Sequence, residues 1–275
     1  MATPHAESHP LVGRRVLICR PEPEASRLAQ AFEAAGAHIR TLPLIVREPL
    51  PETPEQRSLL LDLDRFSHII VVSPYAARRL LEALDTWWPQ LPTGLRWYAV
   101  GAGTARVLAS HGLSVRRPAD GWTSEALLTL PSLRHVQGQS VLIARGEHGR
   151  ELIRDTLERR GARVTALPLY RRQPATPDEP TLRAALDEFA PEAIVALSGE
   201  TIDQLAALVA NRPGGAVNAQ GANGGHNLYD SLMIVPAERV ARSARAAGFA
   251  RSRLPAGMAD GDIVAAVAAE LSPQR

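Results

Sequence analysis

Short, wholly apolar blocks alternate along this chain with stretches in which apolar residues return every third or fourth position. Val16-Leu17-Ile18-Cys19, Ile69-Ile70-Val71-Val72, Val141-Leu142-Ile143-Ala144 and Ile194-Val195-Ala196-Leu197 are continuous runs, without the alternation of a strand that faces water on one side. Such runs suit strands buried on both faces of a parallel sheet. Between them, Leu28, Ala31, Phe32 and Ala35 share one face of a helix predicted over 26–35 and stopped by Gly36. The same periodicity predicts helices over 75–84, 106–111, 125–130, 149–160, 181–189, 201–209, 238–247 and 260–271, and a shorter one over 59–66. Strands are expected over 14–20, 37–46, 95–100, 113–117, 163–170 and 232–235. Strands alternating with helices at this spacing predict an α/β protein with open parallel sheets.

One segment is written twice. Residues 16–47 and 141–172 align without a gap at an offset of 125, with 12 identities in 32 positions. They include Val-Leu-Ile at the start, Arg20 and Arg145, Gly36-Ala37 and Gly161-Ala162, and Leu42-Pro43-Leu44 and Leu167-Pro168-Leu169. The offset also relates Ser73 to Ser198, each ending an apolar run. Agreement at one constant offset marks a duplication.

Where the two domains divide is open to two readings. Each repeat could be a domain, with the boundary near 130–140. Alternatively, the two proline-containing segments are matching connectors, since proline lacks the amide that a central strand needs and suits an edge or a crossing between domains. Residues 1–41 plus 173–275 would then form a discontinuous domain, 48–166 an inserted one, and 42–47 with 167–172 the connector strands. A ligand-holding cleft between domains is expected in either case.

Composition narrows the class. At 275 residues and 45% hydrophobic content the chain can build two cores, and 31 basic residues nearly cancel 29 acidic ones for a net charge of +2. That balance argues against nucleic acid as a partner. The basic residues are overwhelmingly Arg, which suits bidentate contacts to carboxylates or phosphates, although an Arg-rich composition can equally be a genomic habit. The one cysteine, Cys19, excludes an internal disulfide and sits in an apolar strand, where packing is its expected role. The eight histidines show no metal-ligand spacing. No apolar run is long enough for a membrane span, and the first ten residues do not form a signal peptide, so a cytoplasmic location is expected. A glycine- and asparagine-rich stretch over 211–230 reads as a long loop or lid.

No single catalytic signature stands out. Gly101-Ala102-Gly103-Thr104, between a strand and a helix, is either a tight turn or an anion-facing one. Ser73 and Ser198 sit where open sheets present ligands, as helix caps or as ligand contacts. Arg20 and Arg145 end equivalent strands, as ligand contacts or as ion-pair partners. His148 stands beside Glu147 and Arg150 in the turn after 141–144. Tyr170 occupies the position of Ile45 in the first copy, so a phenol interrupts an apolar segment, either to donate a hydrogen bond or to pack.

Together, Val16 to Pro21, Ile69 to Pro74, Val100-Gly101 with Thr104-Ala105, Thr123-Ser124-Glu125, Arg145-Gly146 with Gly149-Arg150, Leu169-Tyr170-Arg171 and Gly248-Phe249 make a sequence that resembles the uroporphyrinogen-III synthase family over residues 14–271. The resemblance implies two similar open parallel-sheet α/β domains joined by a two-stranded connector, one inserted in the other. It implies a hydro-lyase that closes the linear tetrapyrrole hydroxymethylbilane into uroporphyrinogen III, inverting the last pyrrole ring through a spiro intermediate and releasing water. Tyr170 and Thr104 would be catalytic. Arg20, Ser73, Gly101, Ser124, Arg145, Gly146, Arg150 and Ser198 would bind substrate. No cofactor or metal is implied, and the protein would act as a monomer that receives its substrate from the preceding enzyme of the pathway.

One departure concerns the second domain. Many relatives repeat a Gly-Pro-x-Thr-Ala-like turn there, but this chain reads Val235-Pro236-Ala237-Glu238-Arg239-Val240-Ala241, with Val240 at the threonine position. A different class of protein, a two-domain module that binds a small molecule without changing it or a family member that has lost its activity, is the alternative that the same architecture allows.

Overall fold

The computed structural model describes residues 9–119, 121, 123–149, 151–212 and 227–272. The chain forms two compact units. One runs through Val46 and resumes at Gln173; the other is the continuous segment Arg47–Arg172. Arg150 and residues 213–226 of the glycine-rich stretch lie outside the described residues.

The strands, in chain order, are β1 (Arg15–Ile18), β2 (His38–Thr41), β3 (Ile45–Pro49), β4 (His68–Val71), β5 (Arg96–Ala99), β6 (Val115–Arg116), β7 (Ser140–Gly146), β8 (Arg163–Pro174), β9 (Ala193–Val195), β10 (Leu232–Ile234) and β11 (Ser252–Arg253). They make two sheets, ordered β11-β10-β9-β1-β2 and β3-β8-β7-β4-β5-β6. Adjacent strands are parallel from β11 through to β2, and from β8 through to β6.

Without β3 the two orders are the same. In the first sheet β1 lies between β2 and β9. In the second, β7 lies between β8 and β4, in register His68 with Val141 and Val71 with Ala144. The repeat thus supplies β1 with β2 and β7 with β8, and each pair completes its sheet with three strands from the other repeat. From β4 the chain moves outward one way through β5 and β6, then returns to β7 on the other side of β4 and moves the other way to β8. Such a reversal opens a crevice at the carboxyl ends of the strands, where doubly wound sheets bind ligands.

Burial explains the apolar blocks. Leu17 and Cys19 enter one core of the first unit while Val16 and Ile18 enter the other, as the two-residue period of a strand requires. In the second unit, Leu142 and Ala144 face one core, and Val141 and Ile143 face the other. Helices cover both faces, so no polar residue is called for along these strands.

Several boundaries differ from those that periodicity suggests, each for a local reason. The 37–46 strand is divided at Leu42-Pro43-Leu44 into β2 and β3, whereas Pro168 lies within the 12-residue β8. β8 is not an edge, since β3 and β7 flank it. It accepts proline at a register shift opposite Arg145 and Gly146, and Gln56 Nε2 donates to Pro168 O at 2.6 Å. The helix expected over 106–111 is Ala102–Ala109, whose first turn carries no apolar pattern. The helix expected over 149–160 is Leu152–Arg159. The 59–66 segment becomes a helix, Pro54–Leu61, followed by a 3₁₀ turn. Thr53 and Gln56 satisfy each other's backbone amides there in a capping box. Segment 181–189 is a short helix, Glu179–Arg183, followed by a π turn. The helix Pro131–Arg134 and β11 carry too few residues to show a period.

Candidate functional site

The second unit places a cavity of about 250 Å³ at the carboxyl ends of β4 and β7, beside the reversal in strand order. Ser73, Ser124, Arg145, Gly146, His148 and Tyr170 are among its lining residues. A larger depression of about 560 Å³ lies beside β6, lined by Arg116, Arg117 and Pro118. It is the more open of the two and none of the expected site residues lines it, so the smaller cavity is the better candidate.

Ser73 follows β4 and caps the helix Pro74–Trp87. Its Oγ accepts from Ala76 N at 3.0 Å, meeting one of the orphan first-turn amides. Tyr170 Oη stands 3.2 Å from the same Oγ. Tyr170 is 4% exposed. The Tyr75 ring meets its ring edge-on, with centroids 4.9 Å apart at 76°, an arrangement favoured between aromatic quadrupoles. Tyr75 Oη in turn donates to Arg47 O at 3.3 Å. Tyr75 was not evident as a support from the sequence; its place directly behind Ser73-Pro74, in the first helical turn, is the signal that could have found it.

Gly146 is the other wall of the phenol's niche. A Cβ on Gly146 would lie 3.0 Å from Tyr170 Cζ and 3.1 Å from Cε2. Glycine lets the ring lie against the backbone of β7, and Glu147 N donates to Tyr170 O at 2.7 Å to hold that end of β8.

Arg145 is buried beneath the turn that follows β7. Its Nε donates to Gly146 O at 3.1 Å and its Nη1 to Glu151 Oε1 at 2.8 Å. It is therefore an ion-pair partner whose side chain also lines the cavity. His148 is exposed and lies 3.7 Å from Glu147 Oε2. Arg154 and Arg172 add further cationic lining that the spacing of the sequence did not single out. Ser124 opens the helix capped by Thr123, whose side chain accepts from Ala126 N.

Gly101 and Thr104 belong to the adjoining strand-helix turn. Gly101 is the extended cap of Ala102–Ala109, and Thr104, its third residue, is buried. Gly103 packs closely enough that a Cβ there would sit 3.3 Å from Pro74 Cγ, so the first turns of these two helices are neighbours. Thr104 is not among the residues lining the cavity.

Ser198 and Arg20 fall in the other unit. Ser198 has the same backbone conformation as Ser73, φ −152° in both, and caps Gly199–Ala210. Its Oγ accepts from Thr201 N at 3.2 Å and meets Thr201 Oγ1 at 2.8 Å. Arg20 lies 4.0 Å from Asp260, which also holds Arg27 through two hydrogen bonds. Val240 is the third residue of Glu238–Ala246 and is buried in the core, so its side chain occupies there the place that Thr104 occupies in the second unit. Cys19 is fully buried, which pushes its thiol up to about 12 and rules out a thiolate nucleophile at neutral pH. Among the described residues, no helix is long and apolar enough to cross a membrane.

Comparison with known proteins agrees with this architecture. Residues 26–264 match the family model described as "Uroporphyrinogen-III synthase HemD". A uroporphyrinogen-III synthase of Escherichia coli is 32% identical over 242 residues, covering 85% of this chain and 92% of the relative. The solved uroporphyrinogen-III synthetase of Helicobacter pylori superimposes with a TM-score of 0.58 at 14% identity, covering 93% of this chain and 99% of the other. A mutant uroporphyrinogen III synthase of Thermus thermophilus gives 0.55 at 20% identity, over 92% and 96%. At such identities these two structures speak for the fold alone.

Proposed function

The chain belongs to the uroporphyrinogen-III synthase family, and from that premise we propose that it cyclises hydroxymethylbilane with Tyr170 as the group that helps the substrate's hydroxyl leave. The product is uroporphyrinogen III, formed with loss of one water.

The chemistry asks little of the protein beyond placement and one proton. When the hydroxyl departs from its pyrrolic carbon, the ring nitrogen stabilises the resulting azafulvene. The substituted position of the terminal ring attacks that carbon, and the spiro intermediate rearranges with the ring inverted. Protonating the departing oxygen and folding a flexible chain into one attack geometry are the two contributions open to side chains.

The observation that carries the assignment of Tyr170 is its hydroxyl pair with Ser73 at the mouth of the strand-order reversal. A buried phenol held between Tyr75 and Gly146 has few orientations, which favours one direction of proton delivery. Thr104 is proposed as the second hydroxyl, on the helix whose first turn packs at Gly103 against Pro74. Arg145, Arg150 and Arg20 are proposed to meet substrate carboxylates through charge-assisted hydrogen bonds. Gly101, Ser124, Gly146 and Ser198 would offer main-chain or hydroxyl contacts. We further take the protein to act in the cytoplasm as a monomer that receives its unstable substrate from the enzyme that makes it.

Isomer analysis tests the reading. With hydroxymethylbilane supplied enzymatically, the purified protein should give the type III isomer faster than the spontaneous type I product forms; type I alone would overturn it. Tyr170→Phe (Y170F) should lower turnover by about 10²-fold, the scale of general acid catalysis.

A further inference from the structure

The partners of Ser73 fix its oxygen and leave its hydrogen free to choose. A serine hydroxyl has one hydrogen and two lone pairs. Ala76 N takes one lone pair at 3.0 Å, and the remaining lone pair and the hydrogen are both available to Tyr170 Oη at 3.2 Å. The contact can therefore run either way. A protonated phenol donates to the serine, and a phenol that has lost its proton accepts from it.

The duplicated counterpart shows that this is not a general property of the cap. Ser198 spends its second contact on Thr201 Oγ1, within its own helix. Ala76 stands where Thr201 stands and has no hydroxyl, so Ser73 reaches across to β8 instead. Tyr170 likewise replaces the aliphatic Ile45 of the first copy. Both halves of the contact arise where the two repeats differ.

We propose that Ser73 is a positioning residue for Tyr170, accepting the phenol's hydrogen at rest and rotating to donate its own to Oη as the phenol delivers its proton. The inference rests on the role assigned to Tyr170 above. In that step the phenol O–H bond breaks and a new O–H bond forms on the departing hydroxyl. The carbon–oxygen bond breaks with its electron pair going to the water. The proton lost when the rearranged pyrrole regains its aromaticity returns to the phenolate.

Between those events a charge sits on a side chain that is 4% exposed, and an anion there without a donor is costly. The serine hydrogen offsets that cost with a charge-assisted bond. Ser73 also caps a 14-residue helix, so the positive end of the helix dipole lies beside the same oxygen.

The test uses the full chain carrying Ser73→Ala, Ser73→Gly or Ser73→Thr. Tyr170 is titrated by NMR with [13Cζ]tyrosine, its signal assigned among the four tyrosines by its loss in Tyr170→Phe, and kcat and KM are measured across pH. Ser73→Gly is decisive, because glycine costs little at a helix N-cap yet has no hydroxyl to donate and brings no charge beside the phenol. Ser73→Ala and Ser73→Gly should raise the Tyr170 pKa by about one unit or more and lower kcat about tenfold or more, with KM little moved. Ser73→Thr should restore both. A Ser73→Gly protein with the parent's kcat and an unmoved Tyr170 titration would overturn the proposal and leave serine as a helix cap only. Turnover retained in Tyr170→Phe would sink the phenol's own role, and this proposal with it, even where the Ser73 variants still move the titration, so the two failures are told apart.

Discussion

The Tyr170 phenol lies on the bare α-carbon of Gly146, so closely that an added methyl would stand 3.0 Å from Cζ and 3.4 Å from Oη. One backbone thus positions the hydroxyl assigned to proton transfer. Gly146→Ala should push the ring off Ser73 at a cost of about 1–3 kcal/mol, as overpacking does. Turnover should fall more than stability, since displacing a proton donor by an ångström can cost about 10²-fold. Thermal melts alongside isomer analysis measure both.

Arg145 tests the anionic side of the cavity. Its guanidinium is buried, but its partner Glu151 is half exposed, so removing the pair should cost only about 1 kcal/mol of stability. Substrate carboxylates lose a charged donor, so Arg145→Met should raise KM about tenfold or more while kcat changes little. Steady-state kinetics at low and high salt should show the difference shrinking with salt.

Thr104 and Val240 hold the same helical position in the two units, and both are buried. The position therefore tolerates an aliphatic side chain, and Thr104→Val should melt within about 1 kcal/mol of the parent. A turnover reduced about tenfold would mark the hydroxyl as chemically used. Unchanged turnover would return Thr104 to packing.

His68 sets a pH dependence of stability at the far end of β4. It is fully buried, with Nδ1 3.1 Å from Tyr98 Oη and Nε2 against Gln139 Oε1. Burial, with smaller contributions from Arg96 and Arg116, holds its pKa below the ordinary 6.5, against a partial opposing effect of Gln139. The unfolded chain therefore takes up a proton that the folded one resists, so this contribution is complete above about pH 6.5 and is lost as pH falls toward the lower folded value. Urea midpoints between pH 5 and 7 should decline with acidification. His68→Phe should start lower, since Tyr98 and Gln139 lose a partner, but with a flatter slope over that range.

Much of the fold is legible in the sequence. The continuous apolar blocks 16–19, 69–72, 141–144 and 194–197 identified strands covered on both faces, because only a doubly buried strand can be apolar without alternation. The site was legible in its ingredients and not in its arrangement. Ser73, Arg145 and Tyr170 stand out singly, through the repeat or through a break in it, and Gly146 through the family resemblance. That Tyr170 meets Ser73 across 97 residues, or that Gly146 clears the space for it, has no local signature. Tyr75 and Arg154 carry no such mark, because a tyrosine or an arginine on an amphipathic helix is ordinary until its neighbours are known.

What the chain alone determined is therefore local: the duplication, the strand and helix types, the matching places of Ser73 and Ser198 at strand ends, and the asymmetry between Tyr170 and Ile45. These follow from period, side-chain shape and backbone amides within a few residues. Tertiary structure decided which strands of one repeat complete the sheet of the other, and so where the strand order reverses. It also decided that a capping serine in one unit bonds its own helix while its counterpart bonds a phenol. Those outcomes depend on packing between segments distant in sequence, and no pattern within a single segment encodes the position of its partner.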